Sequence, residues 1–247
     1  PLSSAGRNFR DQYLPHLLEM GINVNYIAID DDREHSASCM MINDLHGNQI
    51  IGFFQGMPSD KRKLPSELKE INEVRLAVLA PENAQLMLRQ ARDLTSRNIP
   101  LVFDPGQVIT DFSRDEIIEL LDLSTYLLVN DYEYSVLKTN SHLTDEEVML
   151  RVKELVVTHG DQGVGIFSQG QTYHIDSVPC DQIVEVTGCG DAFRAGYVYG
   201  IFNNETPVHC AQIGCILASL NLASSDTQKY QVNEQQVREI QAQVYSA

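Results

Sequence analysis

The chain has 247 residues, 43% of them hydrophobic and 21% charged, which suffices for one large buried core. Its formal net charge of −16 sets a field that opposes binding to nucleic acid and to anionic membrane surfaces. No apolar run reaches the roughly 18 residues of a membrane span, and the opening PLSSAGRNF lacks the basic and apolar stretches of a secretory signal.

In chain order, residues 35–56 come first. HSASCMMIND and NQIIGFF flank the turn Leu45-His46-Gly47 and predict a β-hairpin, either an edge of the main sheet or a lid over a cleft. RLAVLA (75–80) predicts a buried strand, with Pro81 opening a helix that runs from Glu82 to Arg97. LVFD (101–104) predicts the next strand. Ser113 with Glu116 forms a capping box ahead of IIELL, and Thr144 with Glu147 repeats it. Between the two boxes, TYLLVN (125–130) reads as a strand followed by a short helix. ELVVTHG (154–160) is a further strand, and GVGIF and QTYHI form a hairpin about Ser168–Gly170. Helices are expected at about 190–203, 207–223 and 233–245. This alternation predicts an α/β fold: an open, mostly parallel sheet with helices on both faces.

The five cysteines, Cys39, Cys180, Cys189, Cys210 and Cys215, are scattered without a C-x-x-C pair. They predict reduced thiols in a cytoplasmic protein, and the seven histidines show no metal-ligand spacing.

The stretch EVTGCGDAFRAGYVYGI (185–201) carries the most chemistry. Gly188 and Gly190 bracket Cys189 just before a helical run, which leaves backbone N–H groups free at a helix N-terminus suited to an anion. Asp191 either stabilises that terminus or removes a proton from a hydroxyl that attacks a phosphoryl group held there. Ala192, Ala195 and Gly196 predict tight packing of the same helix. Other designs are excluded by motif: there is no G-x-x-x-x-G-K-[ST], no G-x-G-x-x-G opening a βαβ unit and no G-x-S-x-G.

The run Thr187 to Gly196, T-G-C-G-D-A-F-x-A-G, closely resembles the C-terminal signature of PfkB-type kinases, the superfamily of ribokinase, fructokinase and adenosine kinase. LVFDPGQ (101–107) resembles the family's D-P-x segment, LLVNDYEYSVL (127–137) its N-x-x-E motif and VVTHGDQGV (156–164) its T-x-G-x-x-G segment, all in the family's order. FDPGQ, VNDYE, Ser-Asp-Thr-Gln (225–228) and GFFQGM (52–57) look most like bacterial adenosine or nucleoside kinases.

The resemblance implies a three-layer ribokinase-like α/β/α fold, one domain over residues 1–247 with a small β lid at about 33–56. It implies transfer of the ATP γ-phosphoryl group to a primary hydroxyl of a nucleoside, adenosine first, with Mg²⁺ as cofactor. Asp191 then matches the catalytic base, and the amides of Gly188, Cys189 and Gly190 match the anion hole. Asn130 and Glu133 match the pair that organises Mg²⁺ through water; read locally, they are also an N-cap and its N3 partner. Thr158, Gly160 and Gly163 match the nucleotide side, and Phe53 and Phe54 the segment that closes over the acceptor. Asp104, at a strand end where open α/β sheets place ligands, is either an acceptor-side residue or a turn former beside Pro105, and Arg194, one turn beyond Asp191, faces either a nucleotide phosphate or solvent.

Two departures from the family pattern stand out. Glu185 and Val186 replace the usual Asp-containing pair before Thr187, so Glu185 and Thr187 are the candidates for a monovalent cation such as K⁺. The family's opening strand with its substrate-binding Asp and G-G-x-x-x-N segment has no counterpart, a deficit of roughly 60–70 residues. The rival readings are a sugar kinase of the same fold and a non-catalytic nucleotide-binding relative. A homodimer through the lid sheet is a further expectation.

Overall fold

The computed structural model describes residues 1–43, 49–54, 63–228 and 230–245. The chain divides into two compact units, Pro1–Glu73 and Val74–Ala247.

In the first unit, β1 (Ser3–Gly6) is followed by two short helices, α1 (Phe9–Gln12) and α2 (Leu14–Glu19), and pairs in parallel with β2 (Ile27–Asp30). Its second sheet is the expected hairpin: β3 (Ser38–Asn43) runs antiparallel to β4 (Gln49–Phe54). The hairpin forms its own two-stranded sheet rather than an edge of the main one. The turn Leu45-His46-Gly47 and the end of GFFQGM lie outside the described residues.

The second unit carries the main sheet. Four parallel strands, β5 (Ala77–Leu79), β6 (Leu101–Phe103), β7 (Tyr126–Asn130) and β8 (Glu154–Thr158), lie side by side in chain order. Helices α3 (Ala84–Thr95), α4 (Arg114–Leu123), α5 (Asp131–Ser141) and α6 (Asp145–Met149) fall between them. Strands β9 (Val164–Ser168) and β10 (Gln171–Ile175) then extend the sheet as an antiparallel hairpin. Helices α7 (Cys189–Phe202), α8 (Pro207–Leu222) and α9 (Glu234–Tyr245) complete the chain.

Strand alternation divides the core between two faces. Val102, Leu128, Val156, Val164 and Ile166 pack with Phe193, Tyr197, Ala211 and Cys215 of α7 and α8. Phe103, Leu127, Val129 and Leu155 are buried on the opposite face, where α3, α4 and α5 contact the strands. The result is the three-layer, mostly parallel arrangement that the alternation predicts. At the α7–α8 crossing a Cβ on Gly196 would lie 2.8 Å from the backbone of Gly214, so the two helices approach backbone to backbone. Ala195, expected to share in this packing, is exposed instead.

One helix start differs from expectation. Pro81 does not open α3; Asn83 caps it, its side chain accepting from Gln85 N at 3.0 Å and Leu86 N at 3.4 Å. A side chain that satisfies two orphan donors outweighs the preset φ of the proline. Both Ser/Thr capping boxes form as read. All five cysteines are free thiols, and among the described residues no helix is long and apolar enough to cross a membrane.

Candidate active site

In an open α/β sheet the C-terminal strand ends form the natural ligand crevice. Here β6, β7 and β8 end at or just before Asp104, Asn130 and Thr158, with Asn130 and Thr158 directly paired in the ladder. Asn130 caps α5: its Oδ1 accepts from Glu133 N at 2.7 Å, and Glu133 Oε2 accepts from Asn130 N at 2.9 Å. The local reading of this pair is therefore correct, and it holds both side chains at the crevice.

Helix α7 starts at the same crevice. Gly188 takes φ +81°, and a Cβ there would lie 2.9 Å from Thr227 Cγ2, so both conformation and space call for glycine. The expected trio of amides divides. Cys189 N–H is spent on the Val186 carbonyl at 3.3 Å, whereas those of Gly188, Gly190 and Asp191 have no partner among the described residues. The Cys189 thiol is half-buried, and that burial pushes its pKa up.

Arg194 gathers the site. Its Nε lies 2.8 Å from Asp104 Oδ2, its Nη2 3.5 Å from Glu133 Oε2 and its Nη1 3.4 Å from Asp191 Oδ1. Residues from three separate segments thus meet at one guanidinium, which is largely shielded rather than solvent-facing. Asp104, expected at the acceptor, is only 4% exposed, with Arg194 against its carboxylate. Its Oδ1 is buried without a hydrogen-bond partner among the described residues. Burial pushes its pKa up to about 7, against the pull of Arg194 and with the charges of Glu133 and Asp191 adding to the rise. The Asp191 side chain is 85% exposed.

A cavity of about 90 Å³ lies among these groups, lined by Asn130, Glu133, Thr158, Gly190, Phe193 and Arg194, among others. A larger groove of about 680 Å³ runs along α7, α8 and α9. Its polar side chains are already paired, Glu205 with His209 at 3.2 Å and Glu234 with Arg238 at 2.7 Å, and it holds none of the expected site residues.

The remaining expected residues fall as follows. Gly160 (φ +61°) sits in the turn after β8 with open space where a Cβ would be, so backbone there is accessible to a ligand. Gly163 has a structural reason of its own: φ is +88° and a Cβ would meet Ile175 O at 2.1 Å. Glu185 accepts from Thr187 N at 2.9 Å, and hydrogen bonds from Thr187 lower its pKa. Phe53 and Phe54 are 62% and 52% exposed. As neighbours in β4 they face opposite sides of the hairpin, so they cannot both line one ligand face.

Sequence reasoning missed Asn221, whose Nδ2 donates to Thr187 O at 2.8 Å behind the glycine turn. The signal was available: it is a lone amide in the apolar run GCILASLNLA.

The donor set bears on a divalent cation. Among the described residues no cluster of three or more His, Cys, Asp or Glu is arranged to hold a metal. Asn130 Oδ1 and Glu133 Oε2 are committed to the cap, so the pair suits a cation held through water. Three carboxylates face one guanidinium, and a polyphosphate entering there would bring further negative charge that a divalent cation offsets.

Known proteins similar to this chain are nucleoside and sugar kinases. A nucleoside kinase of Methanocaldococcus jannaschii is 25% identical over 219 residues, 88% of this chain and 71% of that protein. A ribokinase of Arabidopsis thaliana is 28% identical over 212 residues, 81% of this chain and 55% of that one. The structure of Burkholderia thailandensis nucleoside kinase in complex with inosine superposes with a TM-score of 0.91 at 26% identity, covering 100% of this chain and 82% of that one. The same enzyme is also known in complex with ADP-inosine. The pattern of the pfkB family carbohydrate kinases matches residues 2–234, and the chain belongs to that family of phosphotransferases.

Proposed function

We propose that this kinase moves the γ-phosphoryl group of ATP to a primary hydroxyl of a nucleoside, with adenosine as the first candidate acceptor. The observation that carries the reading is the convergence of Asn130, Glu133, Thr158, Gly190 and Arg194 on one cavity, with Asp191 beside it. The nucleoside class is supported by the likeness to nucleoside kinases, one of them seen with inosine.

Asp191 is the base that takes the acceptor hydroxyl proton as the oxygen attacks phosphorus. The free amides of Gly188, Gly190 and Asp191 donate to the transferred phosphoryl oxygens, and Arg194 draws charge from the nucleotide phosphates. Thr158 and the open backbone at Gly160 meet the nucleotide. Asn130 and Glu133 would hold a Mg²⁺ ion through water, and that ion would supply neutralisation of phosphate charge. Glu185 and Thr187 are the candidates for a monovalent cation.

A panel of adenosine, inosine, ribose and fructose with ATP and Mg²⁺ tests the acceptor. Faster turnover of either nucleoside supports the reading; faster turnover of ribose or fructose overturns it in favour of a sugar kinase. The exposed apolar side chains of Met40, Ile42, Ile50 and Phe54 share one face of the hairpin and support pairing with a second copy. Sedimentation velocity showing only monomer at micromolar concentration would remove that part.

A further inference from the structure

Asn221 lies in the last turn of α8 and is 1% exposed. Its Nδ2 donates to Thr187 O at 2.8 Å and lies 3.4 Å from Cys189 Sγ, so one amide spans the residues on either side of Gly188. The next carbonyl, that of Leu222, accepts from Val184 N at 2.8 Å and Glu185 N at 3.3 Å. The end of α8 therefore holds the whole approach to α7.

Asn221 Oδ1, in contrast, is buried with no partner among the described residues. An orphaned buried carbonyl costs stability, and a leucine would fill this apolar helix without that cost. What the asparagine contributes is its two donors, and both are spent on the turn. The direction of that pull matters. In a trans peptide the C=O and the following N–H point opposite ways. Drawing Thr187 O toward α8 therefore aims Gly188 N–H away from α8, and that N–H is one of the unpartnered donors.

We infer that Asn221 is a positioning residue for phosphoryl transfer, fixing the Thr187–Cys189 turn and through it the aim of the free amides and of the Asp191 carboxylate. The inference rests on the reading that this turn meets the transferred phosphoryl group. A left-handed glycine at the centre of the turn gives it little stiffness of its own, and the amide tether supplies it. Small displacements at a reacting centre cost rate steeply.

Asn221→Leu removes both donors at similar size, and Asn221→Asp keeps the shape while replacing donors with acceptors. In each, kcat should fall by about 10- to 100-fold with the KM for ATP and for the acceptor little changed. A merely structural role would lower Tm and leave kcat per folded molecule at the wild-type value, and that result overturns the inference; so does a loss confined to KM. Should neither variant fold, the native chain still decides. Its Asn221 side-chain amide protons should exchange slowly and shift on adding ADP with aluminium fluoride, and an unshifted pair overturns the inference. Normal wild-type turnover beside unaffected variants removes only the role of Asn221, whereas a wild-type chain inactive on every acceptor removes the underlying reading.

Discussion

Arg194 Nε stands 2.8 Å from Asp104 Oδ2, joining the first turns of α7 to the end of β6 across the sheet. Burial raises the Asp104 pKa to about 7, well above the ordinary value near 3.9. A carboxyl whose folded pKa is raised favours the fold fully below its ordinary range, and that contribution is lost as pH rises through about 7. The Tm of the wild type should therefore fall between pH 5 and pH 8 through this group. Asp104→Asn should flatten that part of the curve, read by calorimetry; an unchanged slope in the variant would refute the assignment.

Asp191→Asn keeps shape but cannot accept a proton. With the side chain 85% exposed, the fold should not notice, and Tm should hold. Turnover should drop by about 10²- to 10⁴-fold with ATP binding largely kept. Steady-state kinetics with calorimetric ATP titration checks both, and near-normal turnover would remove the assigned base.

Gly188→Ala combines two faults. The residue sits at φ +81°, where a side chain costs about 1–2 kcal/mol, and its Cβ would press on Thr227 Cγ2 at 2.9 Å. Both Tm and kcat should fall, because the turn that bears the strain also bears the amides. A variant with wild-type kcat would show that the turn is not part of the reaction.

Tyr197 and Glu154 form a buried pair away from the crevice, phenol to carboxylate at 2.7 Å. Burial pushes the phenol pKa well up, with the nearby Glu154 charge adding to the rise. Tyr197→Phe should cost about 1–3 kcal/mol by stranding a buried acceptor, seen as a Tm lower by roughly 3–10 °C. Turnover per folded molecule should not change.

What the sequence disclosed was local. The capping boxes at Ser113, Asn130 and Thr144 need only residues three apart, so their geometry is written in the spacing. The four parallel strands were legible because buried runs alternate with capped helices. The grouping around Arg194 was not, because its partners lie on distant segments and a helical arginine usually meets water. Asn221 stood out as a lone amide in an apolar run, but its partner was not legible, because the contact with Thr187 forms only once α8 folds back behind the turn. The split between Phe53 and Phe54 follows from strand alternation and could have been read in advance.

The reciprocal hydrogen bonds of Asn130 and Glu133 start α5 and at the same time set two side chains at the cavity. On the proposed reading, chemistry and folding share the same oxygen atoms. An inert but intact reference protein cannot be made by altering either residue, since the helix would fray along with the chemistry. Screens for heat-tolerant forms should find this corner closed to improvement, and gains should come from surfaces remote from it.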